Sequence, residues 1–365
     1  MKIPANDLKR QYDLHAAEYE AKALEVLRSG WYILGHELSS FEEEFASWLG
    51  AEYCVGLASG LDALTIAFRA LNIGEGDEVI VCANAYIACV LGITANRATP
   101  VFAEPDVYDN LDAEQIETKI TPRTKAILAV HLYGQSCDMT RIREIADAHQ
   151  LYVVEDCAQS HGTRWHNQAC GTFGDISCFS FYPTKNLGAF GDAGAIVTGR
   201  KDLADFVRMY RNYGGRIHYH NEVAGVNSRL DELQAGLLRV KLSHLDELNE
   251  ERVRLAARYD REISNPLIRK PLIRPGSTHI YHQYVIHTSE RDALRNALQE
   301  EGIGTMIHYP IPPHRSEAYR SLGYSAGSFP LAEQAADEVL SLPMFNGMLE
   351  EEQTAVIEAI NRFSE

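Results

Sequence analysis

Four short stretches place reactive side chains where an apolar run gives way to a turn. In "FSFYPTKNLGAFGDAG", Phe179 to Gly194, an aromatic strand-like run passes into a glycine-rich loop, with Lys185 at the junction. Lysine is among the side chains least often buried, and the glycines behind it let another group approach the backbone. An amine there becomes a nucleophile once its surroundings lower its pKa. In "LYVVEDCAQSHG", Asp156 ends an apolar run. A carboxylate so placed needs a cationic partner or a metal, or else it caps the next turn. Glu155 beside it points to the opposite face of the strand. In "GLASGLDAL" a run ends, Ser59 and Gly60 follow, and a helix begins. Its free N–H groups suit a phosphate, although Ser59 or Asp62 also reads as a simple cap. In "ANAYIACV", Tyr86 offers a flat ring at another run's end; it reads equally as core packing.

A phosphate site, a carboxylate, an amine and an aromatic plate are together what pyridoxal 5′-phosphate requires. On this reading Lys185 forms the Schiff base and Asp156 keeps the pyridine nitrogen protonated. Tyr86 stacks on the ring, and Ser59, Gly60 and Ser180 hold the phosphate.

The elements that must position these residues alternate along the first 200 or so residues. Strand-like "EYCVGL", "DEVIVCA", "TPVFAE", "TKAILAVHLYG", "LYVVEDCAQ", "DISCFSF" and "GAIVTG" are separated by helical patterns such as "MTRIREIADAHQ". Near-continuous Val/Ile/Leu runs belong to strands buried on both faces. The alternation predicts an α/β fold: a mostly parallel sheet flanked by helices, with ligands beyond the strands' carboxyl ends. From about Ser228 the texture changes. "RLDELQAGLLRVKLSHLDELNEERVRLAARYDREI" reads as one long amphipathic helical region. One strand, "YHQYVIHT", a helix, "RDALRNALQEEG", the loop "HYPIPPH" and a last helix follow. The expected division is 1–244, a cofactor-holding α/β domain with an N-terminal helical segment, and 245–365, a smaller α+β domain.

The chain has 365 residues, 45% hydrophobic and 23% charged, with a net charge of −17. These are globular proportions, and the acidic balance argues against a nucleic-acid partner. No apolar run approaches the ~20 residues that span a bilayer, and "MKIPANDLKRQYDLH" lacks the apolar stretch of a signal peptide. The seven cysteines form no Cys-x-x-Cys pair; they read as reduced core residues of a cytoplasmic protein. A dehydrogenase should carry Gly-x-Gly-x-x-Gly after an early strand, and "GIGTMI" at Gly302 lacks the third glycine. The histidines of "HYH" and "HIYHQYVIH" fit no standard zinc spacing. A regulator that reads DNA would need a basic module, and none is present.

With these residues in hand, the chain resembles the pyridoxal-phosphate-dependent nucleotide-sugar aminotransferases of the DegT/StrS type, within the aspartate aminotransferase fold (fold-type I). The motifs that carry the resemblance are "SGLDAL", "EDCAQSHG", "SFYPTKNLGAFGDAG", "GVNSRLDELQAGLL" and "HYPIPPH". The resemblance places the family's Schiff-base lysine on Lys185 and its pyridine-nitrogen acid on Asp156. Its ring-facing glutamine falls on Gln159 and its phosphate serine on Ser180. It implies a homodimer with active sites at the interface, in which Asn227 of one chain reaches the other's cofactor phosphate. L-glutamate is the implied amino donor and a nucleotide-diphosphate sugar the acceptor, with His161, Arg216, His218, His220, His308 and Tyr309 as substrate contacts. Relatives often have Gly in place of Thr184 and Thr in place of Ala85; those with His in place of Lys185 act as sugar dehydratases. The form "YPTKNLGAFGDAG" resembles the subgroup that aminates C3 of dTDP-linked 3-keto-6-deoxyhexoses. Enzymes acting on 4-keto sugars tend to carry Gly-Glu-Gly-Gly where this chain has "GDAG".

Overall fold

A computed structural model describes residues 2–217 and 219–364. The chain opens with helices α1 (Leu8–Asp13), α2 (Ala16–Ser29) and α3 (His36–Leu49), the last ended by Gly50 at φ 78°, where glycine carries no Cβ penalty. Alternating elements follow: β1 (Tyr53–Leu57), α4 (Gly60–Ala70), β2 (Glu78–Cys82), α5 (Ile87–Thr94), β3 (Thr99–Ala103), α6 (Ala113–Lys119), β4 (Thr124–Val130), α7 (Met139–His149) and β5 (Tyr152–Asp156). A small hairpin, β6 (Arg164–Trp165) and β7 (Gln168–Ala169), leads to β8 (Ile176–Ser180), β9 (Gly194–Thr198) and α8 (Lys201–Tyr210). The remaining elements are α9 (Glu232–Ser243), α10 (Leu245–Glu262), β10 (Tyr284–His287), α11 (Arg291–Glu300), α12 (Pro330–Glu338), β11 (Val339–Leu342) and α13 (Glu350–Arg362).

The apolar runs of the first 200 residues assemble into one seven-stranded sheet in the order β1-β9-β8-β5-β4-β2-β3. Strands β3, β2, β4, β5 and β8 pair in parallel, and β9 runs antiparallel between β8 and β1. This is the mostly parallel, helix-flanked sheet that the sequence implies. Its inner strands β2 and β9 are buried at every position. A separate cluster packs Tyr259, Tyr284, Leu294, Leu340, Phe345 and Ile357 together with Ile3. The first residues thus join the C-terminal part, through an Ile3–Ile303 bridge. Among the described residues no helix is long and apolar enough to cross a membrane.

Two expectations change. The long helix after Ser228 is two helices that break at His244, whose ring stacks on His15 at 3.7 Å and meets Glu18 at 3.0 Å. The break lets the first half pack on α2 and α3 while the second turns toward α13. Strand β10 is not alone either: it pairs antiparallel with β11, four residues that directly follow α12.

At the end of β5 successive side chains part company. Glu155 turns away from Asp156 and is fully buried. Its carboxylate accepts from Gly171 N (2.8 Å), Phe173 N (2.8 Å), Gly174 N (2.7 Å) and Ser177 Oγ (3.1 Å), and meets His131 Nε2 at 2.9 Å. Cys137 N donates to His131 Nδ1, so the ring's proton sits on Nε2 and points at Glu155. Burial opposes charge on Glu155, but His131 and the backbone donors outweigh it and hold the carboxyl below its usual range. This knot ties the ends of β4, β5 and β8 together. Replacing Glu155 by Ala strips several buried donors of their acceptor. It should cost about 3–5 kcal/mol of stability, measured by chemical denaturation; a loss below about 1 kcal/mol would mean that the knot is not what fixes these strand ends.

Candidate active site

Strand β9 begins where β1 and β8 end. Gly194 faces Leu57 on one side and Ser180 on the other. The backbones close in so tightly that a Cβ on Gly194 would lie 2.4 Å from the carbonyl carbon of Ser59, and one on Gly60 would lie 2.5 Å from Ser180 Cβ. Only glycine fits at either place. Ser59 caps α4 by accepting from Asp62 N at 3.1 Å. The N–H groups of Gly60 and Leu61 precede any intrahelical partner, and both residues line a cavity of about 430 Å³. Glycine cradle, serine hydroxyls and helix N-terminus together form a site for a phosphate group.

The same cavity holds Asp156, Gln159, Lys185, Tyr86, His308 and Tyr309. Asp156 is 7% exposed. Its Oδ1 accepts from Ala158 N and its Oδ2 from Cys89 Sγ, both at 3.0 Å. Burial and the Asp156 charge push the Cys89 thiol up, so it is a donor and not a thiolate. Lys185 is delivered by a tight turn: its N–H donates to Tyr182 O at 2.8 Å, and a Cβ on Gly188 would lie 2.3 Å from Pro183 O. The half-buried amine makes no hydrogen bond or ion pair among the described residues. Burial brings its pKa down to about 8, against the pull of the Asp156 charge. Gln159 is clamped from both sides, accepting from Tyr133 N at 2.6 Å and donating to the Tyr309 hydroxyl at 3.0 Å. The rings of Tyr309 and Tyr86 lie 4.8 Å apart.

Of the residues singled out from sequence, Ser59, Gly60, Tyr86, Asp156, Gln159, Ser180, Lys185, His308 and Tyr309 converge on this cleft. His161 does not. It is fully buried, its ring 5.6 and 5.7 Å from those of Phe179 and Phe181, and it lines no part of the cleft. Arg216 and His220 are exposed on the 211–228 loop, away from this chain's cleft, with Arg216 paired to Glu222. Asn227 is exposed on the same loop and bridges to Asn212. His218 lies outside the described residues. Cys89, Tyr182, Asp192, His282 and Gln283 also lie in or against the cleft, and no motif or spacing in the sequence singles them out. His282 was visible only as one of the histidines of "HIYHQYVIH", whose spacing fits no metal.

An amine and a carboxylate facing a phosphate cradle, on this sheet, fit a pyridoxal-phosphate-dependent enzyme. Residues 14–361 match the DegT/DnrJ/EryC1/StrS aminotransferase family, and the chain belongs to it. It is 51% identical to a dTDP-3-amino-3,6-dideoxy-alpha-D-galactopyranose transaminase of Aneurinibacillus thermoaerophilus, over 99% of each chain. It is 46% identical to a dTDP-3-amino-3,4,6-trideoxy-alpha-D-glucose transaminase of Streptomyces venezuelae, over 100% of this chain and 97% of that one. The crystal structure of DesV from S. venezuelae superposes with a TM-score of 0.97 at 46% identity, covering 99% of this chain and 98% of that chain.

The Lys185 amine makes a pH prediction. Its folded pKa of about 8 lies below the ordinary 10.5, so between those values the unfolded chain binds more protons and stability rises with pH. Below about pH 8 the buried cation carries its full penalty. Lys185→Met apoprotein should therefore be the more stable chain at neutral pH, and the gap should close toward about pH 10.5. Denaturation midpoints of both chains across this range test it; a gap independent of pH would contradict the shift.

Proposed function

We propose that this protein moves an amino group from L-glutamate to C3 of a dTDP-linked 3-keto-6-deoxyhexose, giving a dTDP-3-amino-3,6-dideoxyhexose for surface glycans such as O-antigen or for antibiotic sugars. The observation that carries this is the meeting of Lys185 and Asp156 in one cleft over the Gly60–Gly194 cradle. The names of the two relatives support the sugar and the carbon.

Bound pyridoxal phosphate supplies an electron-poor ring that makes the donor's α-proton acidic. Asp156, with both oxygens steered by Ala158 N and Cys89, would face the ring nitrogen and keep it protonated. Lys185 Nζ, near half-protonated in mildly alkaline solution, is suited to take a proton from one carbon and return it at another. Ser59, Gly60 and Ser180 would hold the phosphate, Tyr86 would cover one face of the ring and Gln159 the other. His308 binds Ser341 Oγ through Nδ1 at 2.8 Å, and burial and the Lys185 charge bring its pKa down to about 4. It meets the sugar as a neutral group, beside Tyr309.

The same reading makes the protein a homodimer. The loop with Arg216, His218, His220 and Asn227 would cross to the partner's cleft, where a diphosphate needs cationic donors. Exposed Tyr213 (52%), Ile217 (68%) and Trp31 (64%) support a covered face in this region. We read 1–244 as the cofactor-holding domain and 245–365 as the smaller one, supported by a core of mostly C-terminal residues that Ile3 joins from the N-terminal segment. Seven buried, unpaired cysteines suit the reducing cytoplasm.

Offering the protein dTDP-4-keto-6-deoxyglucose and glutamate, with and without a 3,4-ketoisomerase, tests the regiochemistry. Amination only with the isomerase is expected; efficient amination without it would move the reaction to C4. Lys185→Ala and Asn227→Asp, each inactive alone, should partly restore turnover when mixed and allowed to exchange subunits. A fully active monomer in sedimentation would exclude the shared site.

A further inference from the structure

Lys241, on α9, is 7% exposed. Among the described residues no carboxylate pairs with its amine. Its one hydrogen-bond contact is Gly188 O at 3.5 Å, the outer limit for such a bond. An ammonium has three donors to satisfy, and a buried cation without an anion is costly. Burial, and then the Arg252 charge, bring its pKa down to about 7. The other titratable groups nearby supply no anion. Burial and the Lys185 and Lys241 charges keep His161 neutral, its pKa down at about 3. Burial pushes the Tyr19 hydroxyl up to about 12, so it stays protonated. Lys9 is tied to Asp13 at 2.5 Å, and the Tyr12 hydroxyl donates to Glu20 at 2.5 Å.

Lys241 and Gly188 both line a cavity of about 430 Å³ that shares no lining residue with the cleft around Lys185. It backs onto the turn that carries Lys185, through Pro183 and Gly188. Its other walls include Leu8, Tyr12, Tyr19 and Phe190. The Tyr19 and Phe190 rings meet edge to face at 4.9 Å. Tyr12 stands 6.1 Å from each of them and is stacked on Tyr19 at 20°. Leu8 and Phe190 are 43% and 45% exposed, which leaves the cavity open to solvent on their side.

Flat apolar walls around one under-satisfied amine suit a ligand that is apolar along its body and anionic at one end. A single charge is enough. The walls hold no arginine, Lys9 is already paired, and the Gln11 amide donates to Asn6 at 2.7 Å, so a phosphate would find too few donors.

We propose that this cavity is a second small-molecule site, which takes a monocarboxylate with a flat apolar body: the carboxylate meets the Lys241 amine, and the body lies against Tyr12, Tyr19 and Phe190.

The test is titration calorimetry of the holoenzyme with 2-naphthoate, the bound cofactor keeping the probe out of the first cleft. Binding with a Kd below about 1 mM is expected, and 2-naphthamide, which has the same body without the charge, should bind at least about tenfold more weakly. A carboxylate favours the ammonium form. The free amine titrates near 7, so affinity should be highest below that pH and fall above it, by up to about tenfold per pH unit. At about pH 8 each complex should take up roughly one proton, read from the heats in phosphate against Tris buffer. This needs no variant. Lys241→Met and Lys241→Gln should each lose at least about tenfold in affinity for naphthoate and all of the proton uptake. Equal binding of acid and amide, binding without proton uptake, or affinity unchanged in both variants overturns the proposal. So does the absence of binding, the result expected if a second copy of the chain covers the cavity.

Discussion

An amine lies near a carboxylate in this cleft without being bonded to it, and the rest of the site depends on that separation. A direct Lys185–Asp156 ion pair would hold the amine protonated and use up the acid. Instead Asp156 is engaged by Cys89 Sγ and Ala158 N, and Lys185 keeps an unpaired Nζ whose pKa burial brings down to about 8. Each group is thereby kept for a third party placed between them. Asp156 can meet a ring nitrogen, and Lys185 can meet a carbon. The price is stability, because a half-buried, unbonded amine destabilises the fold wherever it is charged.

That separation is set by the sheet. Parallel strands β5 and β8 are neighbours, with Asp156, the last residue of β5, opposite Cys178, and β8 runs on to Ser180 before the turn that carries Lys185 to the same cleft. The antiparallel β9 then fills the gap between β8 and β1, starting on a glycine because the end of β1 and the start of α4 press against it. The phosphate cradle is thus a consequence of where one strand reverses direction. Opposite it, Glu155 uses the other face of β5 to lock the strand end through buried hydrogen bonds. One strand turns one acid into the cleft and, one residue earlier, another into the scaffold.

Much of this was legible in the sequence because it is local. Apolar runs buried on both faces have no alternation to hide, and Asp156, Lys185, Ser59 and Tyr86 each stand at the end of such a run. What was not legible depends on long-range placement. His161 lies only five residues beyond Asp156, yet the chain turns it into a pocket between Phe179 and Phe181. The break at His244 follows from two halves of one amphipathic run packing on different partners, and periodicity alone reads the run as continuous. Strand β11 is four residues long and abuts a helix, too short to register a period.

The charge distribution presents one more constraint. The chain carries −17, yet both its cofactor and a nucleotide-diphosphate sugar are anions. Among the described residues lining the cleft, Lys185 is the one lysine or arginine. His282 and His308 are held neutral beside it. The cofactor's phosphate can be met by backbone N–H groups and hydroxyls at the start of α4, where the helix dipole favours an anion. A diphosphate entering from solvent is different, because the acidic surface repels it until cations are close. Arg216 and His220 are exposed and line no part of this chain's cleft, and Arg216 is paired to Glu222. A cleft lined by two aspartates and a single lysine offers an entering anion little charge of its own, so the donors for such a group are uncharged N–H and O–H groups or cations from outside the cleft.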